Sequence, residues 1–324
     1  MTTSLEPVRP ITLGEIRDAR KRIAGIIIRT PLVRLDLGPG LPDVRLKLEN
    51  LQPINAYKLR GAANAVALLS DAERGRGVWT ISAGNAGQGV AFAARAAGVP
   101  CTVVAIETAP AAKLDRMRAL GAKLVLVPYA VAWQALEDRS YPGVAGTFIH
   151  PFDDQNFITG HATMGVEILE DAPDTAAIIA AIGGGGLVTG VASAVKALHP
   201  EIKVWGAEPE TAAPAALSFA KGSAQEFPEW KATFVDGAGG KSVFPRMWQR
   251  MQPVVDGSIV VTLDETKRAM RLMAEKARVI AEGAGALGLA AALTGKAGQG
   301  PIVAIVSGGN IDLEKFSELI GASG

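Results

Sequence analysis

The segment "NAYKLRGAANAVALL", residues 55–69, puts an amine where a helix least favours one. Asn55 reads as an N-cap, and Ala62, Ala63, Ala65, Val66 and Leu69 continue a helical pattern, so Lys58 falls in the first turn. There the positive end of the helix macrodipole opposes a cation by about 0.3–1 kcal/mol. A flexible lysine on an exposed turn tolerates that through solvation. The chemical alternative is that a positive field lowers the amine's pKa, and a neutral amine is the form that attacks a carbonyl. A second constellation lies in "IIAAIGGGGLVTGVASAVKAL": the apolar run Ile178–Ile182 enters Gly183, Gly184, Gly185 and Gly186, and a helix begins near Leu187. Such a turn points backbone N–H groups at an anion, with the helix dipole assisting, although a glycine turn can also be a plain tight connection.

The kind of phosphate such a turn would hold is narrowed by patterns that fail. The dinucleotide pattern G-x-G-x-x-G does not fit at Gly183 or Gly184, because Val188 and Thr189 stand where glycine is required. "GAGALG" at Gly283, Gly285 and Gly288 matches it but follows a helical segment instead of a strand. "GGKS" at 239–242 resembles the end of a Walker A loop, yet Val235 occupies the place of its opening glycine. His150, His161 and His199 form no metal spacing with one another or with Cys101, and no G-x-S-x-G elbow is present.

The elements that must position these residues alternate along the chain. Strand-like runs "GVWTISAG", "CTVVAI", "KLVLVP", "AAIIAAIGG", "KVWGAEP" and "PIVAIVSGG" are separated by alanine-rich helical stretches, which predicts an α/β fold with a largely parallel sheet. Several strands run into glycine-rich turns, "SAGNAGQG", "GGGG" and "SGGN", and ligands gather at the carboxyl ends of parallel strands, so one crevice is expected to collect them. Thr12 and Glu15 read as a capping box ahead of the basic run "RDARKR".

With 324 residues, 48% of them hydrophobic, the chain can bury a large core and divide into two lobes. Thirty-three Lys and Arg against 32 Asp and Glu leave a charge of +1, which argues against a nucleic-acid partner. The single cysteine, Cys101, lies in an apolar strand, and the N-terminus has no signal-peptide core, which together suit a reducing cytoplasm. Residues 175–195 carry no charge, but four glycines in their middle favour strand, turn and helix over a membrane span.

An amine, a phosphate turn without a nucleotide pattern and several polar glycine turns suggest pyridoxal phosphate, and the sequence resembles the fold type II pyridoxal-phosphate enzymes of the threonine/serine dehydratase and serine racemase group. The likeness rests on "RTPL" (29–32), "YKLRGAANAV", "SAGNAGQGVA" (82–91), "HPFDD" (150–154), "GGGGL" (183–187), "EGAGA" (282–286) and "SGGN" (307–310), in order along nearly the whole chain. It implies two lobes, each a mostly parallel twisted sheet flanked by helices: residues 1–76 plus 148–324 as a large cofactor-binding domain, and 77–147 as a small mobile one.

Carried onto this sequence, the resemblance makes Lys58 the Schiff-base lysine with Tyr57 beside the ring. Gly183 to Gly186 would hold the phosphate, Asn85 the ring hydroxyl, and Ser307 would face the pyridine nitrogen; Gly237, Glu282 and Gly308 complete the cofactor site. Ser82 and the backbone of Ala83, Gly84, Asn85 and Ala86 would receive the substrate carboxylate. The implied reaction converts a β-hydroxy amino acid, whether threonine, serine or a bulkier analogue, to a 2-keto acid and ammonia. A racemase on the same scaffold and a non-catalytic vitamin B6 binding protein are the alternatives.

Departures from the family pattern shape the expectation. "INAYK" stands where the group reads T-G-S-F-K, adding bulk near the substrate and pointing toward a larger side chain than that of serine. His161 replaces a frequent glutamine. Glu208 and Ala212 match two ligands of the divalent-cation site of serine racemases, but Pro214 replaces the third, leaving a weakened site or a monovalent cation. The resemblance further implies a homodimer or larger homo-oligomer and no C-terminal regulatory domain.

Overall fold

Strict alternation in the strands decides where the layers form. The computed structural model describes residues 5–321, and among them are ten strands: β1 (Leu32–Leu35), β2 (Val44–Lys47), β3 (Val78–Ile81), β4 (Cys101–Ile106), β5 (Lys123–Val127), β6 (Thr147–Phe148), β7 (Ala177–Ala181), β8 (Lys203–Pro209), β9 (Gly257–Val261) and β10 (Ile302–Ile305). In β7 and β10 every residue is apolar, and successive side chains go to opposite faces. Ala177, Ile179, Ala181, Ile302 and Ala304 enter one core, while Ile178, Ala180, Val303 and Ile305 enter another. A strand buried on both faces is central in a sheet covered by helices on each side.

The central strands belong to a six-stranded sheet of order β1-β2-β10-β7-β8-β9. Only the edge hairpin β1–β2 is antiparallel; the other pairings are parallel. A second, all-parallel sheet has the order β5-β4-β3-β6, and its β4 likewise divides Cys101, Val103 and Ala105 from Val104 and Ile106. The helix Lys58–Ala67 packs against both Asn85–Ala96, which follows β3, and Gln155–Asp171, which leads to β7. It therefore joins the two sheets.

The Thr12–Glu15 capping box forms, and residues 175–195 are strand, turn and helix. "GAGALG" lies inside the helix Gly283–Leu293, so it has no dinucleotide-binding geometry. Cys101 is buried, which raises its thiol pKa to about 12. Among the described residues, no helix is long and apolar enough to cross a membrane.

Candidate active site

Lys58 is the first residue of its helix, as the segment's pattern suggests, but Asn55 is not the cap. Tyr57 holds the N-cap position without a side-chain cap bond, and Asn55 adopts a left-handed φ of 55°. Asparagine tolerates that conformation, and it lets the Asn55 carbonyl accept from Gly309 N–H at 2.9 Å. Two residues on, Tyr57 N–H donates to the Ser307 carbonyl at 3.0 Å, so the turn after β10 fixes the start of the lysine helix.

The amine is enclosed. Lys58 Nζ donates to the Pro151 carbonyl at 2.6 Å and lies 5.2 Å from the Tyr57 ring centroid and 5.4 Å from that of Phe157. Burial pulls its pKa down to about 7, so desolvation supplies the depression that the helix field suggested. The Pro151 carbonyl is positioned by a tight turn in which His150 Nδ1 accepts from the amides of Phe152 and Asp153, at 3.3 and 2.9 Å.

Five strand ends converge on a cavity of about 450 Å³ around this amine. The turn after β3 brings Ile81 to Ala86, that after β4 brings Thr108 to Pro110, and that after β6 brings Pro151 and Phe152; β7 and β10 contribute Gly184 and Ser307. Tyr57, Asp236, Gly237 and Glu282 complete much of the lining. At the tetraglycine turn, Gly185 takes a φ of +87°, and a β-carbon on Gly184 would run into the Phe152 ring. The amides of Gly183, Gly184 and Gly185 have no acceptor among the described residues, and they precede the 13-residue helix Gly186–Leu198. Unsatisfied donors at a helix N-terminus form an anion cradle.

The Ser82–Ala86 loop also leads into a helix start. Ser82 Oγ accepts from Gly84 N–H at 3.1 Å, and Gly84 caps the helix Asn85–Ala96. Asn85 Nδ2 donates to Glu282 Oε1 at 2.7 Å, while Asn85 Oδ1 accepts from Asn310 Nδ2 at 2.7 Å. Burial, with a smaller contribution from the Asp236 charge, raises the Glu282 pKa to about 7. A β-carbon on Gly308 would run into the Glu282 carboxyl, and one on Gly237 would press on the Ala284 β-carbon beside it.

Several contributors went unnoticed in the sequence: in the lining, the Pro151 carbonyl, Phe152, Asp236, and Lys113, which pairs with Asp236 at 2.5 Å, and behind it Asn310, which holds Asn85. "HPFDD" and "SGGN" contain three of these residues, Pro151, Phe152 and Asn310, without marking which atom matters. His161 sits outside the lining, edge-on to Tyr57 at 4.7 Å and Phe157 at 4.9 Å, and burial holds it neutral.

Glu208 lies apart from the cavity. Its oxygens accept from the amides of Ala215 and Ala216 and from Ser258 Oγ, at 2.9, 2.8 and 2.7 Å, so here it serves the N-terminus of the helix Pro214–Lys221. Pro214 is the first residue of that helix, and burial raises the Glu208 pKa to about 7. Among the described residues no group of three or more His, Cys, Asp or Glu is placed to hold a metal ion.

The family description "Pyridoxal-phosphate dependent enzyme" matches residues 23–308. The chain belongs to the pyridoxal-phosphate-dependent enzymes. An L-threonine ammonia-lyase of Thermotoga maritima is 39% identical over 317 residues, covering 96% of this chain and 78% of the relative. A catabolic L-threonine dehydratase of Staphylococcus aureus is 37% identical over 328 residues, covering 98% and 94%. Maize serine racemase superposes with a TM-score of 0.87 at 33% identity, covering 96% and 97% of the two chains. The fold is that of fold type II enzymes of this family, as the sequence motifs implied. The residues present fit pyridoxal phosphate: three amides without acceptors suit its phosphate, and a buried amine near neutrality suits its aldehyde.

Proposed function

We propose that this protein is a pyridoxal-phosphate-dependent ammonia-lyase that converts a β-hydroxy amino acid to a 2-oxo acid and ammonia. The observation that carries the reading is a buried Lys58 amine near neutrality in one cavity with the Ser82–Ala86 loop and the glycine turn. The threonine lyase and dehydratase relatives support it.

The amides of Gly183 to Gly186 would hold the cofactor phosphate, Ser307 would face the ring nitrogen, and Tyr57 would lie beside the ring, with Asn85, Gly237, Glu282 and Gly308 around it. When bound, the cofactor supplies an electron-withdrawing ring that acidifies the substrate's α C–H bond. Ser82 and the amides of Ala83 to Ala86 would orient the substrate carboxylate. Lys58, whose pKa burial lowers to about 7, would take the α-proton in its neutral form, and the Pro151 carbonyl would steer its Nζ through the bond now 2.6 Å long. The β-hydroxyl leaves with a proton as water, and the resulting enamine takes up water and releases ammonia, so no oxidant or reductant is consumed. Ser307 offers a hydroxyl, not a carboxylate, toward the ring nitrogen, which favours prompt elimination over a long-lived carbanion.

Segment 77–147, which contains β3 to β5, would form the small mobile lobe over this cavity. Exposed Ile28, Leu51 and Ile280 lie on adjoining segments, since Gln52 bonds both backbone groups of Ile28 and Asn50 donates to the Ile280 carbonyl. Such an apolar patch suits a homodimer or larger homo-oligomer. A lone buried Cys101 suits the cytoplasm.

The deciding assay gives L-serine and L-threonine to the cofactor-loaded protein and follows ammonia, 2-oxo acid and D-isomer together. Ammonia and 2-oxo acid in equal amounts, ahead of any D-isomer, support the lyase. D-isomer formed as fast as ammonia transfers the assignment to a racemase, and neither product from these two or from bulkier β-hydroxy amino acids points to a B6-binding protein.

A further inference from the structure

One wall of the cavity is more apolar than a methyl-bearing substrate needs. Ile81 and Ile106 at the ends of β3 and β4, Trp133 and Leu136 from the helix Tyr129–Asp138, and Phe152 line it. All five belong to one hydrophobic cluster, so the wall is the uncovered edge of a packed core. The one polar atom of the Trp133 side chain is already used, because Nε1 donates to Glu137 Oε1 at 2.9 Å. Its ring meets Phe244 edge-on at 5.6 Å, and Phe244 meets Phe152 at 5.3 Å, giving an aromatic row from this helix to the Gly184 turn.

The charged lining comes from other elements. Lys58 opens its own helix, Lys113 and Asp236 pair with each other, and Glu282 is engaged by Asn85. An amino acid therefore meets polar groups for its amine and carboxylate, and carbon for the rest.

We propose that this wall receives an aryl group on the substrate's β-carbon, which makes the substrate a 3-aryl-3-hydroxy amino acid. The proposal rests on the lyase reading above and names its substrate class. A phenyl ring covers the indole and both isoleucines and gains aromatic contact with Trp133 and Phe152, whereas a methyl group leaves water against them. The balance is unchanged: the α-proton and β-hydroxyl leave, water enters, ammonium departs, and the aryl group stays on the 2-oxo acid.

The test gives the holoenzyme L-threo-3-phenylserine, L-threonine and L-serine, following ammonia and 2-oxo acid. Alongside, the affinities of L-phenylalanine and L-alanine, which have no β-hydroxyl to lose, are read from the cofactor absorbance band. The expected result is a kcat/KM for phenylserine at least about tenfold above that for threonine, and a similar margin for phenylalanine over alanine in binding. Both ratios should fall in Trp133→Ala and persist in Trp133→Phe. Turnover of threonine above phenylserine, with phenylalanine bound no more tightly than alanine, overturns the proposal and leaves the lyase reading standing. Ammonia from none of the three, with phenylalanine still favoured and Trp133-dependent, sinks the lyase reading and supports the wall's preference for an aryl group.

Discussion

At the scale of single residues, Lys58 carries the clearest consequence. An ordinary lysine stays protonated up to about pH 10.4, whereas burial brings this one to about 7. Covalent attachment of pyridoxal phosphate to the apo-protein should therefore quicken as pH rises through about 7 and then level off, as stopped-flow absorbance would report. A rate still climbing toward the ordinary lysine value would mean the amine is solvated. Ala83 bears on the product. It lines the cavity beside Ser82 and has no proton to return to a carbanion, so elimination should dominate over inversion. Ala83→Ser should introduce D-isomer at some loss of ammonia release, detectable by chiral chromatography, and no D-isomer from the variant would detach this position from the stereochemistry. The start of the Lys58 helix and the glycine turn were legible because their signals are local: an amine in a first turn, and four glycines between strand and helix. Asn55 misled for a related reason, since an asparagine before a helix suits an N-cap and a left-handed turn equally, and only the carbonyl's partner at Gly309 separates the two. Phe152 could not be singled out, because its use lies in the close approach of Gly184 from another strand end.

At the scale of elements, the lysine helix is held by a charge network the sequence does not announce. Arg60, fully buried two residues after Lys58, donates to Glu49 from Nε and Nη2 and to Glu167 from Nη1 and Nη2, each bond 2.8 Å long. Lys47 from β2 joins through Glu167 at 2.8 Å and the Thr30 carbonyl at 2.8 Å. The partners of Arg60 stand 11 and 107 positions away, so no local pattern could link them, whereas β7 and β10 were plain as continuous apolar runs. The edge hairpin β1–β2 also went unread, since "LVRL" and "VRLK" mix charges into short strands that gain order from β10. Arg60→Met would strand two buried carboxylates against one lysine and should cost about 3–5 kcal/mol in urea unfolding. A loss well under about 1 kcal/mol would show that the network relaxes or hydrates without it.

At the scale of the whole molecule, two sheets and the helix between them bring five strand ends to one amine. The Lys113–Asp236 pair and the Arg116–Asn310 bond, at 2.5 and 2.6 Å, connect the helix Ala111–Ala119 to loops of the larger sheet around the cavity. Fourteen lysines are present in the chain, and Lys47 shows that burial alone does not qualify one, because its amine is tied to Glu167 and a carbonyl in the network. Of the two lysines lining this cavity, Lys58 has a pKa drawn down to about 7 by burial, and Lys113 is engaged by Asp236. The most direct measurement is reduction of the cofactor-loaded protein with borohydride, followed by proteolysis and mass mapping of the fixed pyridoxyl group. A single adduct on Lys58, absent from Lys58→Ala, is the expected result; an adduct on another lysine, or none at all, would contradict it.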